Sequence, residues 1–379
     1  MSNGGNMSYL GEDIKKLGFG LMRLPKNEDG KADIEQVKVM VDKFMAAGCT
    51  YFDTAFVYDG GGSELACNEA LVKRYPRDSY TIATKLNAGF AANTEEEAKQ
   101  QFWTSKERLG VDYIDFYLLH ALGDGNIEKY ERFHLFEYVQ ELKAKGLIKH
   151  AGFSFHGSPE CLEKILTDHP EVEFVQIQLN YVDWEDKSVQ SRACYKILLK
   201  HNKPIVIMEP IKGGSLANPP EPVANILKAA NPDVSLASWA VRFAASRDNI
   251  LAVLSGMSNI AQMEDNLSYM TDFKKLSDEE EAVILKAREA FMNIPQIPCT
   301  GCSYCTAGCP MQINIPQVFA ARNVQMIWGD VEGGKRRYER ATGNGGKASD
   351  CVQCGQCENA CPQGLKIIDL LQECAANLE

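Results

Sequence analysis

No run of about 20 consecutive apolar residues occurs in this chain, so no segment is long enough to cross a bilayer as a helix. Residues 1–9 are polar and rich in Gly, Ser and Asn, without the basic start and apolar stretch of a secretory leader. A cytoplasmic protein is therefore expected. Basic residues are in deficit: 40 Lys and Arg against 51 Asp and Glu leave a formal net charge of −11 over 379 residues. An acidic surface repels phosphate backbones, so nucleic acid is not an expected partner, and neither is a membrane. The first apolar run ends GLMRLP, with no Gly-x-Gly-x-x-Gly turn after it, and no flavin motif is visible. Apart from one duplicated cysteine pattern there is no repeat of 20–50 residues. What remains is an ordinary globular composition, 45% apolar and 24% charged, which argues against bulk disorder.

Cysteine is the exception to this ordinariness. There are 13, and eight fall between Cys299 and Cys361; Cys49, Cys67, Cys161, Cys194 and Cys374 are scattered. Clustered thiols in a long cytosolic chain point to metal rather than to a disulfide scaffold. The first motif is Cys299-x2-Cys302-x2-Cys305-x3-Cys309-Pro310, and the second is Cys351-x2-Cys354-x2-Cys357-x3-Cys361-Pro362. A [4Fe–4S] cube needs four thiolates, and x2 spacing lets one tight loop wrap three corners. The region resembles a two-cluster bacterial ferredoxin domain, in which the fourth cysteine, at the start of a helix, serves the other cluster. That rule gives one cluster Cys299, Cys302, Cys305 and Cys361, and the other Cys351, Cys354, Cys357 and Cys309. Eight thiolates would also satisfy two zinc ions, but zinc sites seldom use three cysteines at successive x2 spacing followed by x3-Cys-Pro. The interval from Cys309 to Cys351 is long. Its part 333–347 is glycine-rich and basic and reads as a surface loop, and the interval is expected to cover the clusters or contact the preceding domain.

Upstream, eight short apolar runs alternate with amphipathic stretches: 17–22, 51–55, 80–86, 114–120, 150–155, 174–181, 204–210 and 250–257. They are rich in Ile, Val, Phe and Tyr, as buried parallel strands are. Helical faces fall between them, for instance over 34–47. Thr94 with Glu97 reads as a capping box, and Gly110 and Gly146 as helix stops. Eight strand–helix units predict an α/β fold, a (β/α)8 TIM barrel. An open doubly wound sheet is the runner-up, disfavoured by the missing glycine turn. The expected domains are an N-terminal tail (1–13), the barrel (14–292) and a small ferredoxin-like iron–sulfur domain (293–379).

In a parallel barrel the strand C-termini share one face. Asp53 lies in the second run and Tyr58 just after it, Lys85 ends the third and His120 the fourth, so the four side chains can meet there. Each alone has a structural reading: a helix cap, a packed aromatic, a solvated charge, a core histidine. Together they suit carbonyl reduction, where hydride adds to carbon and the oxygen needs a proton. Tyrosine's ordinary pKa of about 10 is high for that work, and a neighbouring ammonium lowers it. Tyr58 is thus the expected acid/base and Lys85 its tuner. Asp53 would hold Lys85, and His120 would orient the carbonyl oxygen.

The pieces DTAFVYDGGGSE (53–64), IATKL (82–86) and FYLLH (116–120) resemble the aldo-keto reductase family, whose catalytic Asp, Tyr, Lys and His come in this order on this barrel. Weaker matches are GFS (152–154), VQIQLN (175–180), EPIKGG (209–214) and SGMSNIAQMEDN (255–266), so the resemblance covers residues 14–275. It implies NADP(H) or NAD(H) bound over the barrel mouth. Ser154 and Gln176 would meet the carboxamide, and the loop holding Pro210, Gly213 and Gly214 the pyrophosphate. Gly256, Ser258, Gln262 and Asn266 would face the adenosine. Three positions depart from the family: Phe155 replaces an Asn, Met208 an aromatic, and Gly256 and Gln262 the Lys and Arg that grip a 2′-phosphate. NADH, or a second electron route, stays open. Trp184 is a candidate pocket wall. The expected function is reduction of a small carbonyl, or oxidation of an alcohol, with an iron–sulfur tail that either exchanges electrons with a partner such as ferredoxin or stabilises the chain. The alternatives are an electron-transfer oxidoreductase that uses the barrel without nicotinamide, and a redox-sensing regulatory subunit.

Overall fold

The structure, a computed structural model, describes residues 10–379 apart from 12, 188, 300 and 302. Cα packing divides the chain into two compact units. One runs to Asn218 and takes in Leu227–Ile284; the other consists of Pro219–Ile226 and Leu285–Glu379.

In the first unit each apolar run coincides with one strand, β4 and β5 each reaching two residues beyond theirs: β1 (Leu17–Gly20), β2 (Tyr51–Asp53), β3 (Thr81–Leu86), β4 (Ile114–Leu122), β5 (Ile148–Phe155), β6 (Phe174–Gln178), β7 (Ile205–Met208) and β8 (Ile250–Ser255). Each pairs in parallel with the next, and β8 pairs with β1, so the sheet is a closed barrel and not an open one. The interior is filled by large side chains. The Phe116 ring lies 5.1 Å from Tyr51 and 5.2 Å from Phe174. Gly152 makes room for this packing, since a Cβ there would stand 2.6 Å from the Phe174 ring.

The helices start and stop where local chemistry demands. Asp33 accepts from the Gln36 amide at the head of Ile34–Ala46. Thr94 accepts from the Glu97 amide, while Glu97 Oε2 accepts from the Asn93 amide, one residue before the partner of a standard capping box. Gly110, at φ +68°, ends that helix in the left-handed conformation glycine favours.

In the second unit the expected basic loop is mostly helix. Ile315–Trp328 and Val331–Thr342 form a helical pair turned through Gly329 at φ +64°. Three local contacts override the poor helix propensity of paired glycines. Asp330 Oδ1 accepts from the Gly333 amide at 2.7 Å. Gly334 lets the helices close, since a Cβ there would meet Gln325 Cγ at 2.4 Å. Tyr338 is buried, donating to Glu379 and accepting from the Ala348 amide. The core of this unit joins Ile313, Val318, Phe319, Ile367 and Leu371 to Cys305 and Cys357. Cys309 and Cys361 lie in turns ahead of Ile315–Trp328 and Ile367–Leu378 rather than at the first helical residue.

Candidate active site and cysteine cavities

At the C-terminal rim of the barrel, Lys85 is fully buried. Its Nζ donates to Asp53 Oδ1 and to the Thr54 carbonyl, both at 2.6 Å. The same Nζ lies 5.0 Å from the Tyr58 ring centroid. The Tyr58 ring meets His120 edge-on at 5.5 Å. All four expected residues therefore stand together.

Each is aimed by its own local device. Tyr58 sits before Asp59, Gly60 and Gly61, all with left-handed backbone (φ +52°, +61° and +96°). Gly61 is doubly constrained, because a Cβ there would lie 2.5 Å from Arg108 Cζ. Arg108 in turn donates to the Phe56 carbonyl at 3.0 Å and to buried Glu64 at 3.2 Å, and Glu64 also accepts from Thr84. The Ser63–Glu64 pair thus ties the tyrosine loop to the barrel, with Ser63 donating to the Leu21 carbonyl. His120 lies within a break in register between Leu119 and Leu122, where Ala121 takes φ +57°. Ser154 Oγ accepts from the Ala121 amide at 2.7 Å and so supports that bulge.

Burial raises Asp53 above the usual carboxylate range, countered by the Lys85 ammonium. Burial pulls Lys85 down, but Asp53 and Tyr58 outweigh it and keep the amine charged. Tyr58 differs from the simple expectation. Burial raises its pKa more than Lys85 lowers it, so the phenol keeps its proton at neutral pH. Burial, Lys85 and His156 push His120 down to about 3, leaving a neutral imidazole.

Gln176 is buried in the middle of β6, donates to Met208 Sδ at 3.4 Å, and leaves Oε1 without a partner among the described residues. Asn266 is buried on the helix Ile260–Met270, donates to the Gln262 carbonyl, and leaves Oδ1 equally unmet. Gln262 Oε1 accepts from the Ser258 amide, so it shapes the turn that starts at Gly256. Pro210 is buried, and Gly213 and Gly214 take φ +65° and +100°. The Trp184 ring packs on Tyr195 and Phe243 rather than presenting a free wall.

In the second unit two cavities are ringed by cysteine. One is lined by Cys309, Cys351, Cys354 and Cys357. The other is lined by Cys299, Cys305 and Cys361. Cys302 lies outside the described residues. Ile315 borders both cavities. Among the described residues no three His, Cys, Asp or Glu side chains converge tightly enough to hold a single metal ion.

The aldo/keto reductase family profile matches residues 16–289. The chain belongs to that family. A 4Fe–4S dicluster domain profile matches residues 298–365. Among curated relatives, L-galactose dehydrogenase of Arabidopsis thaliana is 24% identical over 294 residues, covering 73% of this chain and 91% of the relative. The uncharacterized oxidoreductase YqkF of Bacillus subtilis is 25% identical over 298 residues, covering 71% and 90%. Solved structures share the fold. A holo aldo-keto reductase of Bacillus halodurans superposes with a TM-score of 0.59 at 24% identity, covering 74% of this chain and 94% of that one. An aldo/keto reductase of Klebsiella pneumoniae in complex with NADP and acetate gives 0.58 at 21% identity, covering 72% and 90%.

This aldo/keto reductase is thus an oxidoreductase with a C-terminal 4Fe–4S domain, and no described helix is long and apolar enough to cross a membrane. Its barrel mouth also carries residues that motif reading missed. Arg23, just beyond β1, donates to the Gly213 carbonyl at 2.6 Å and flanks Gly256. Asp183, buried, receives Lys212, Gln178 and Asn180 and so pins the loop after β7. The available signal for Arg23 was a charge directly after a strand whose C-terminal end faces the rim.

Proposed function

We propose that this aldo/keto reductase reduces a small carbonyl compound with NADPH or NADH as hydride source. The observation that carries the reading is the buried Lys85, held by Asp53 and set 5.0 Å from the Tyr58 ring. Tyr58 hands its proton to the carbonyl oxygen, and the Lys85 ammonium stabilises the phenolate left behind. Neutral His120 donates a hydrogen bond that fixes the oxygen's position. The unmet acceptors of Gln176 and Asn266 suit the amide and amino donors of a nicotinamide and an adenine. Ser154, whose oxygen already accepts, retains its proton to donate. Arg23 and the turn at Pro210, Gly213 and Gly214 suit the pyrophosphate, while Gly256 and Ser258 border the adenosine side.

The cysteine cavities suit polynuclear clusters. Three cysteines at successive x2 spacing, lining one cavity with the Cys-Pro cysteine of the other motif, fit a cube better than a zinc ion. We assign one [4Fe–4S] cluster to Cys309, Cys351, Cys354 and Cys357. The second goes to Cys299, Cys302, Cys305 and Cys361. Bound there, they would exchange single electrons.

The experiment is Tyr58→Phe, assayed with both nicotinamides against a panel of aldehydes and ketones. Turnover should fall by about 10²–10⁴, the range of acid–base catalysis, with dinucleotide binding retained. Unchanged turnover removes Tyr58 from the chemistry. A chain that binds neither nicotinamide sinks the reductase reading.

A further inference from the structure

The basic segment 335–347 is unused by anything above. It holds Lys335, Arg336, Arg337, Arg340 and Lys347 against one carboxylate, Glu339, in a chain of net charge −11. The structure makes it an ordered surface. Gly334 and Tyr338 occupy the inward face of the helix Val331–Thr342, and Arg336, Arg337 and Arg340 are exposed on the rest. None of these three arginines forms a side-chain ion pair among the described residues. The helix leads directly to a cysteine cavity. After Thr342 the chain returns against the turn that follows Cys309, with the Gly346 amide donating to the Gln312 carbonyl, and Cys351 comes four residues after exposed Lys347. The cavity lined by Cys309, Cys351 and Cys354 has exposed apolar side chains on its wall, Met311 (37%) and Val352 (58%), and Tyr304 (67%), between the Ser303 and Cys305 that line the other cavity, is exposed as well.

We propose that this ridge and rim are the docking surface for a small acidic protein that carries one-electron equivalents. The inference rests on the reading that the cysteines hold clusters. The cations attract and orient an acidic partner over distances near a Debye length, and the apolar rim gives it a dry contact beside the centre. A one-electron carrier is favoured over nucleic acid because the cations lie on the segment that leads into a cysteine cavity. A lipid surface is disfavoured because the helix has no outward apolar face to insert. Each encounter moves one electron from the carrier's reduced centre to one cluster. The carrier is oxidised by one, the cluster reduced by one, and no proton or group is transferred. Two encounters supply as many electrons as one hydride.

The test uses the full chain, purified anaerobically with its iron, and an acidic bacterial ferredoxin as probe. Binding is measured directly at about 20 and 300 mM salt, beside the rate of cluster reduction by the reduced probe. The wild type should bind at low salt and lose about tenfold or more in affinity at high salt. The triple variant Arg336→Glu, Arg337→Glu, Arg340→Glu should lose about tenfold or more at low salt, with iron content and visible spectrum unchanged, and Arg→Gln at the same sites should lose less. Equal binding by wild type and triple variant overturns the surface, as does a wild type that holds its clusters yet does not bind. Tighter binding to duplex DNA or to phosphatidylserine vesicles than to ferredoxin overturns the choice of partner. A chain that holds no iron removes the cluster reading and the docking surface with it.

Discussion

The rim of the barrel and the cysteine cavities solve the same problem, holding reactive groups in place, by opposite means. At the rim the scaffold is complete without the cofactor. Lys85 is fully buried, its hydrogen bonds are made, and its neighbours are strands packed on both sides. In the second unit the candidate ligands are part of the core itself. Cys305 and Cys357 pack with Ile313, Ile315 and Phe319. One site is preorganised by side chains that already hold one another, while the other makes its candidate ligands part of the packing. On the proposed reading, metal binding contributes to folding in the second unit and not in the barrel.

The largest expected effect tests that contrast. Cys361→Ser should remove one cluster and about half the iron, leaving the EPR signal of the other, because Cys361 lies with Cys299 and Cys305 rather than with Cys357. Chelating all iron should abolish or lower the thermal transition of the second unit and leave that of the barrel in place. A second unit that melts unchanged without iron would erase the distinction.

Next comes the buried ion pair. Lys85→Met should cut turnover by about 10²–10⁴. It should also cost about 3–5 kcal/mol of stability by stranding a buried Asp53 carboxylate. The double variant Lys85→Met, Asp53→Asn separates the two losses. Its denaturation midpoint should recover toward wild type while turnover does not. Full recovery of turnover would mean that Lys85 serves structure alone.

The contrast also explains what could be read in advance. The cysteine motifs are local: their spacing alone proposes the loops, and the interleaved grouping reappears in the two cavities. The eight strands were legible because buried parallel strands are continuous apolar runs. The tetrad was visible only once the runs were counted as a barrel, since Asp53 and His120 are far apart in sequence. Less legible was anything decided by tertiary contact. The helix Val331–Thr342 hides behind its glycines, because Gly334 is chosen for close approach and Tyr338 for a buried hydroxyl network. Arg23 belongs to no motif, and its contact with Gly213 spans opposite ends of the chain's strand order. The Tyr58 phenol departed from expectation because burial, which a motif does not record, outweighs the neighbouring ammonium.

Smaller effects are expected where the backbone aims a side chain. Gly61→Ala demands a left-handed alanine and drives Arg108 away from Glu64 and the Phe56 carbonyl. The strain is about 1–3 kcal/mol. Turnover should drop with the loss of Tyr58 alignment, while the Lys85–Asp53 pair stays intact. A variant with wild-type melting and kinetics would show that the tyrosine loop is held by something else.

The smallest effect concerns pH, and it separates the rim from the rest of the molecule. His120 is pushed down to about 3 when folded, whereas an exposed histidine takes its proton near 6.5. The unfolded chain therefore binds a proton that the folded barrel refuses. His120's contribution to stability is complete above about pH 6.5 and declines as pH falls toward about 3. Linkage for one such group gives a loss of about 1.4 kcal/mol between pH 7.5 and 5.5. Many carboxylates titrate below this window, so the informative quantity is the difference between wild type and His120→Gln. The variant should lose less stability over that interval, by about the same amount, in chemical denaturation followed by a probe within the barrel. Parallel pH profiles for the two proteins would place His120 in contact with water, and its role as a neutral donor to the substrate oxygen would fall with its burial.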